Sequence, residues 1–346
     1  MQNSMFKTGV LLVNLGTPDS TAVPDVRKYL REFLMDGRVI DISYPQRFAL
    51  VNGIIAPFRA PKSAHEYEKL WDKEKGSPLK YYGFQLRDLL QQALGQDFVV
   101  ELAMRYQSPS IPEVLKKLQA CSLKELIILP LFPQYASATS GSVIDKVMEV
   151  VRGWQTIPSI QYIGRFVEEE LYLQALVARA KPYIEKENWD HYLFSYHGVP
   201  ERQIYKGSCG DYCKIDKVCC ATYTPQNQYC YRAQCYYNSR LLAERLGLKP
   251  DQYSTCFQSR LGKDPWIQPY ADDVIPMLAK EGKKKVLAFS PAFVADCLET
   301  TVEVGETFKE NFLEAGGERW ELVESLNDHP LWVKCLQEMV LRRSGN

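Results

Sequence analysis

The stretch GVLLVNL at residues 9–15, closed by Gly16-Thr17-Pro18, decides the fold. It is apolar on successive residues, not on alternate ones, so it does not describe a strand with one wet face. A short continuous run rich in Val and Leu reads as a strand covered on both sides, the mark of a parallel sheet. Working outward, residues 23–34 carry helical spacing, 98–104 read as a second strand, 110–119 as a helix, 126–131 as a third strand and 142–153 as a helix. After a long helix at 167–185 the pattern restarts: strand 191–196, helix 239–246, strand 286–290, helix 300–315. Strands alternating with helices in this way predict an α/β fold with helices on both faces of a parallel sheet.

The restart carries an internal echo. Asn14-Leu15-Gly16-Thr17-Pro18 closes one strand and Tyr196-His197-Gly198-Val199-Pro200 another, with Gly and Pro in matching places. Pro130-Leu131-Phe132 and Pro291-Ala292-Phe293 form a second matched pair. Two similar Rossmann-like halves are expected, 1–165 and 166–346. Open α/β sheets bind ligands beyond the carboxyl ends of their strands, so these segments should line an active-site cleft between the halves.

Composition narrows the function. The 346 residues are 46% hydrophobic, and 42 Lys+Arg balance 42 Asp+Glu. That balance offers no basic stripe for nucleic acid. No apolar run approaches the roughly 20 residues of a membrane span, and residues 1–7 lack the apolar stretch of a signal peptide. A cytoplasmic enzyme is expected. Six of the ten cysteines fall between Cys209 and Cys235. In a reducing compartment such density points to metal more than to disulfides.

Four further constellations bear on chemistry. His197, one of four histidines, ends an apolar strand, where an imidazole titrating near neutrality is placed for acid–base work or metal ligation. Glu299, Glu303, Glu306 and Glu310 recur at i, i+4, i+7 and i+11. On an α-helix they would stack as a stripe of like charge, which a cation would relieve. Residues 133–142 (PQYASATSGS) offer hydroxyls after a strand, as in an anion cradle at a helix N-terminus, yet match no P-loop. Residues 48–67 mix Phe48, Ile54, Ile55 and Phe58 with Arg59, Lys62 and Tyr67. They would suit an apolar lip over a flat ligand, with an arginine for its carboxylates. The spacing Cys209…Cys213…Cys219-Cys220…Cys230…Cys235 lacks the paired CxxC of zinc ribbons and fits either zinc or an iron–sulfur cluster.

Taken together, GVLLVNLGTPD at 9–19, Gly76-Ser77-Pro78, Arg105-Tyr106, FPQYASATSGS at 132–142, SYHGVPER at 195–202 and DCLETTVE at 296–303 resemble the ferrochelatase family along nearly the whole chain. The resemblance implies insertion of Fe²⁺ into protoporphyrin IX, the last step of haem synthesis. It makes His197 and Glu299 the catalytic pair that meets the iron, and puts Arg59, Tyr67, Ser77, Arg105 and Phe293 against the porphyrin. Cys297 stands where some relatives carry a second histidine. Asp19 stands where coproporphyrin-using relatives tend to have tyrosine, which favours protoporphyrin. Most relatives pass quickly from the histidine motif to the next helix, so residues 207–235 look like an insertion. It resembles an internal site for the [2Fe-2S] cluster that many relatives hold near the C-terminus. The ligands expected are Cys209, Cys213, Cys220 and Cys230, with Cys219 a near alternative to Cys220. Cys235, read as opening the next helix, is spare. A peripheral membrane contact through 48–58 follows from the apolar lip. Two other readings stand beside this one: a chelatase for cobalt, nickel or another macrocycle, and a non-catalytic iron–sulfur or zinc sensor on the same scaffold.

Overall fold

A computed structural model describes residues 7–345 apart from 211, 217, 261 and 263. The first six residues, and with them most of the N-terminal stretch read for a signal peptide, lie outside the described residues. The chain forms two compact units, Met1–Phe132 with Ser137–Arg165 and Trp332–Asn346, and Pro133–Ala136 with Phe166–Leu331. The last helix, Pro330–Arg343, thus lies mostly in the first unit. There Gln337 donates to the carbonyl of Ala93 at 2.7 Å.

The first unit holds β1 (Lys7–Gly16), β2 (Phe98–Tyr106), β3 (Leu123–Pro130) and β4 (Ser159–Tyr162), all parallel, in the order β2-β1-β3-β4. Val10, Leu11, Leu12 and Val13 are all fully buried, so both faces of β1 are covered, as its unbroken apolar run requires. Leu11 and Val13 pack with Ala103, Val114, Leu115, Val143 and Val147. Ser110 caps the helix Ile111–Gln119: it accepts from the Glu113 N–H, and the Glu113 carboxylate accepts from the Ser110 N–H. This reciprocal pairing satisfies two otherwise unpaired donors.

The second unit holds β5 (His191–His197), β6 (Tyr253–Gln258), β7 (Lys285–Phe289) and β8 (Arg319–Leu322), again parallel, in the order β6-β5-β7-β8. The topology repeats that of the first unit strand for strand. Details repeat as well. β2 is followed by Gln107 (φ 66°) and β6 by Ser259 (φ 65°), both left-handed. Each unit also places a π-helix after its third strand in sequence, Ser137–Gly141 and Leu298–Thr307.

Two expectations need correction, and the form of residues 48–67, read as an apolar lip, becomes defined. Tyr44–Leu50, Val51–Ile55 and Ala56–Leu70 form a nearly continuous helical run with a π-turn in its middle. The helix expected at 239–246 begins at Tyr231, so Cys235 lies one turn inside it and Cys230 is its cap. The anion cradle at 133–142 is not a free helix N-terminus. The π-turn runs directly into the helix Ser142–Val151, with Gly141 already helical.

Candidate active site

His197 ends β5 half-buried. Its Nδ1 lies 2.7 Å from the carbonyl of Gly198. A carbonyl can only accept, so Nδ1 carries the proton, and a neutral ring keeps the Nε2 lone pair as its basic site. The Trp266 ring lies 6.2 Å away, centroid to centroid. Tyr231 donates to the His197 carbonyl at 2.9 Å, anchoring the strand end from the helix Tyr231–Arg245.

Glu299 lies in the first turn of the π-helix Leu298–Thr307, which is α-helical only from Phe308 onward. An i→i+5 ladder widens each turn beyond 3.6 residues. Residues four apart still lie near one another, while residues seven apart no longer share a face. Glu299 and Glu303 are accordingly half-buried, whereas Glu306 and Glu310 are exposed. The four-member stripe reduces to a pair. Burial pushes the carboxyl of Glu303 up from its ordinary range; the Ser259 hydrogen bond and the neighbouring His197 oppose that, and Glu299 adds to it. The three side chains His197, Glu299 and Glu303 thus share one electrostatic neighbourhood. Cys297 is buried, and burial followed by the nearby Glu299 carboxylate pushes its thiol well up.

Two residues absent from the sequence reading hold this group. Gln258, at the end of β6, donates through Nε2 to the carbonyl of Glu299 (2.9 Å) and to Oε2 of Glu303 (3.0 Å). Ser259 donates to the same Oε2 at 2.5 Å. Phe293 is half-buried in the turn after β7, its N–H donating to the Ser290 carbonyl at 3.0 Å.

In the first unit Arg105 is committed to a carboxylate. Its Nη2 donates to Asp36 Oδ2 at 2.6 Å and its Nε to Ser142 Oγ at 2.6 Å. Tyr106 and Ser142 donate to the same Asp36 oxygen at 2.9 and 2.5 Å. Burial alone would raise the Asp36 carboxyl; these bonds, the Arg38 N–H and the Arg105 charge hold it below the usual range. Nothing in the sequence around Asp36 marked it. Ser77 precedes the helix Pro78–Leu94, and its buried hydroxyl has no hydrogen-bond partner among the described residues. Tyr67 is buried, edge-on to Tyr29. Arg59 is exposed on the same helix as Tyr67. Phe48, Ile54 and Phe58 are exposed at 51%, 59% and 78%.

In the 207–235 segment, Cys213, Cys219 and Cys230 line one small cavity. The sulfurs of Cys219 and Cys220 are 3.8 Å apart. A thiol hydrogen bond links Cys220 to Cys230, holding Cys220 up and Cys230 down. Arg232, buried at 4% exposure, donates to Cys220 Sγ at 3.3 Å and to the Asp216 carbonyl at 2.8 Å. The structure therefore gathers Cys213, Cys219, Cys220 and Cys230, while Cys209 is exposed. Among the described residues no group of three or more His, Cys, Asp or Glu side chains is already arranged to hold a metal ion. The donors nevertheless suit a soft metal: neighbouring thiols beside a buried cation that could offset anionic sulfur.

The ferrochelatase family model matches residues 7–344. A ferrochelatase of Legionella pneumophila (strain Lens) is 48% identical over 97% of this chain and 99% of its own length. One from Coxiella burnetii (strain Dugway 5J108-111) is 44% identical over 96% and 93%. This chain belongs to the ferrochelatase family. Ferrochelatases are metal chelatases of the lyase class. Among solved structures, SirB from Bacillus subtilis with Fe³⁺ superposes with a TM-score of 0.55 at 13% identity, covering 99% of this chain and 97% of that one. The likeness supports a chelatase fold of two Rossmann-like halves. Among the described residues no helix is long and apolar enough to cross a membrane.

Proposed function

We propose that this ferrochelatase-family chain inserts Fe²⁺ into protoporphyrin IX to give protohaem. The observation that carries the reading is the convergence of His197, at the end of β5, with Glu299 and Glu303 of the π-helix, to which Gln258, the register partner of His197, is hydrogen-bonded. Metallation replaces two pyrrole N–H protons by one Fe²⁺, so two protons must leave and the ion must shed water. His197, with Nδ1–H held by Gly198, accepts a pyrrole proton at Nε2. Glu299 meets the ion and, with Glu303, carries the second proton away. In this reading Arg59 pairs with a propionate, while Tyr67, Ser77, Arg105 and Phe293 shape the porphyrin site. The exposed Phe48, Ile54 and Phe58 give the helix run a surface for membrane contact, with the protein otherwise cytoplasmic.

Residues 207–235 are proposed to hold a [2Fe-2S] cluster. Cys213, Cys220 and Cys230 are three ligands in this reading. The fourth is Cys209 by the sequence resemblance or Cys219 by proximity. Such a cluster would supply one-electron redox chemistry.

One anaerobic experiment tests both readings. Purified protein is assayed with Fe²⁺ and protoporphyrin IX, and its absorption spectrum is recorded as isolated. Wild type should turn over, and His197→Ala should lose about 10²–10⁴-fold, the usual cost of removing a general base. Near-normal turnover of that variant would sink the assignment. A colourless protein without stoichiometric iron and sulfide would sink the cluster and favour zinc or free thiols.

A further inference from the structure

Gln258 is 2% exposed and every hydrogen-bonding group of its amide is used. Its Oε1 accepts from Ser195 Oγ at 2.6 Å, and its Nε2 serves the Glu299 carbonyl and the Glu303 carboxylate. The orientation is forced. Neither a carbonyl nor an ionised carboxylate has a proton to give, so the NH₂ must face them; the Ser195 hydroxyl supplies the proton that the amide oxygen accepts. The backbone of Gln258 makes a fourth connection, since its carbonyl accepts the Gly198 N–H at 2.8 Å, and its register partner across the sheet is His197.

One buried side chain therefore joins three parts of the site: the strand end that carries His197, the backbone of the first π-helical turn at Glu299, and the carboxylate of Glu303. A π-helix is a strained, seldom-used winding. A side-chain donor to the Glu299 carbonyl, in its first turn, pins where that turn begins. Ser259, left-handed at φ 65°, adds the second donor to Glu303 Oε2. The first unit supplies a parallel. There Tyr106, at the corresponding strand end, donates to the carboxylate of Asp36.

We propose that Gln258 is a positioning residue, assisted by Ser259, that fixes Glu303 and the start of the π-helix against the His197 strand end and so sets how the site receives the metal ion. This rests on the reading of His197 and Glu299 as the metallating pair. Gln258 itself need touch neither iron nor porphyrin. Its effect should fall on metal handling and should pass through Glu303.

The test is a double-mutant cycle of Q258L and E303Q, assayed anaerobically with Fe²⁺ and protoporphyrin IX, with porphyrin affinity measured separately by fluorescence quenching. Q258L should raise the KM for Fe²⁺ about tenfold, the scale of one lost hydrogen bond to a charged group, and leave porphyrin affinity within about twofold. On the E303Q background it should add little, because coupled residues are not additive. S259A, which removes one surface-side donor, should shift the metal KM in the same direction by less, and it serves as the test if Q258L does not fold. Additive effects, or equal losses in metal KM and porphyrin affinity, would overturn the proposal; so would an S259A enzyme with unchanged metal KM if Q258L cannot be made. A dead H197A with an additive cycle defeats the Gln258 coupling alone. A near-normal H197A with a non-additive cycle defeats the catalytic assignment and leaves the coupling.

Discussion

Glu299 and Glu306 have the same side chain, seven residues apart, and the winding between them decides what each can do. An α-helix would return Glu306 near the face of Glu299; the π-helix Leu298–Thr307 does not, and Glu306 is exposed. Glu299→Gln should therefore cost at least about 100-fold in turnover, the lower end for a group engaged in the chemistry. Glu306→Gln should stay within about twofold, as surface substitutions usually do. Steady-state kinetics with Fe²⁺ decide it, and comparable losses from both changes would restore the four-carboxylate stripe. The same scale explains which site residues could be read in advance. His197 could be singled out because it directly follows an apolar strand, at the carboxyl end where open α/β sheets place their ligands. Asp36, Gln258 and Ser259 were not, because their roles exist only through partners remote in sequence. Arg105 lies 69 residues from Asp36 and Glu303 lies 45 from Gln258, and no local pattern encodes such a pairing.

At the scale of elements, β1 ends in close backbone contact with β2. Gly16 has φ 118°, and a Cβ there would lie 2.0 Å from the Tyr106 carbonyl oxygen. Gly16→Ala combines a forbidden dihedral with a backbone clash. Left-handed strain alone costs about 1–3 kcal/mol, and relief of the clash requires the paired strands to separate. A loss of at least about 3 kcal/mol is expected, read as a fall in the urea midpoint; a midpoint equal to wild type would mean that the strand ends are loosely paired. The strands buried on both faces, β1, β3, β5 and β7, were legible because continuous apolar runs have few alternatives. The short flanking strands β4 and β8 were not, since four residues leave almost no pattern. The helical run through residues 44–70 was hidden by Pro45, Pro57 and Pro61. Pro45 and Pro57 sit at the first positions of their helices, where proline is tolerated, and Pro61 lies inside the second. The π-helices had no signal at all, because their apolar spacing was read at 3.6 residues per turn.

At the scale of the whole molecule, the doubled topology was legible from two matched Gly–Pro strand closures, whereas the grouping of residues 332–346 with the first unit depends on contacts that no repeat announces. The stability of such a chain in acid is set by groups that fold in one protonation state. His191, at the start of β5, is the clearest. It is 4% exposed, its Nε2 lies 2.9 Å from Ser254 Oγ, and its Nδ1 has no hydrogen-bond partner among the described residues. Burial, aided by the nearby Lys283, pushes its pKa from 6.5 down to about 4. An unfolded chain binds a proton at this imidazole as pH falls below 6.5, while the folded chain does not until about pH 4. Between those values the unfolded state holds more protons, so stability falls as pH falls. At about 1.4 kcal/mol per pKa unit the full window is worth about 3 kcal/mol. The carboxyl of Asp36, held below its usual range, acts in the same direction, but only at lower pH, where it too must protonate. His191→Gln removes the titrating ring and keeps a polar side chain facing Ser254. Urea midpoints measured at pH 7 and pH 4.5 should fall steeply for wild type and much less for the variant, even if the variant starts lower. Parallel falls would show that His191 is not the group that titrates, and that the acid sensitivity lies with the carboxylates instead.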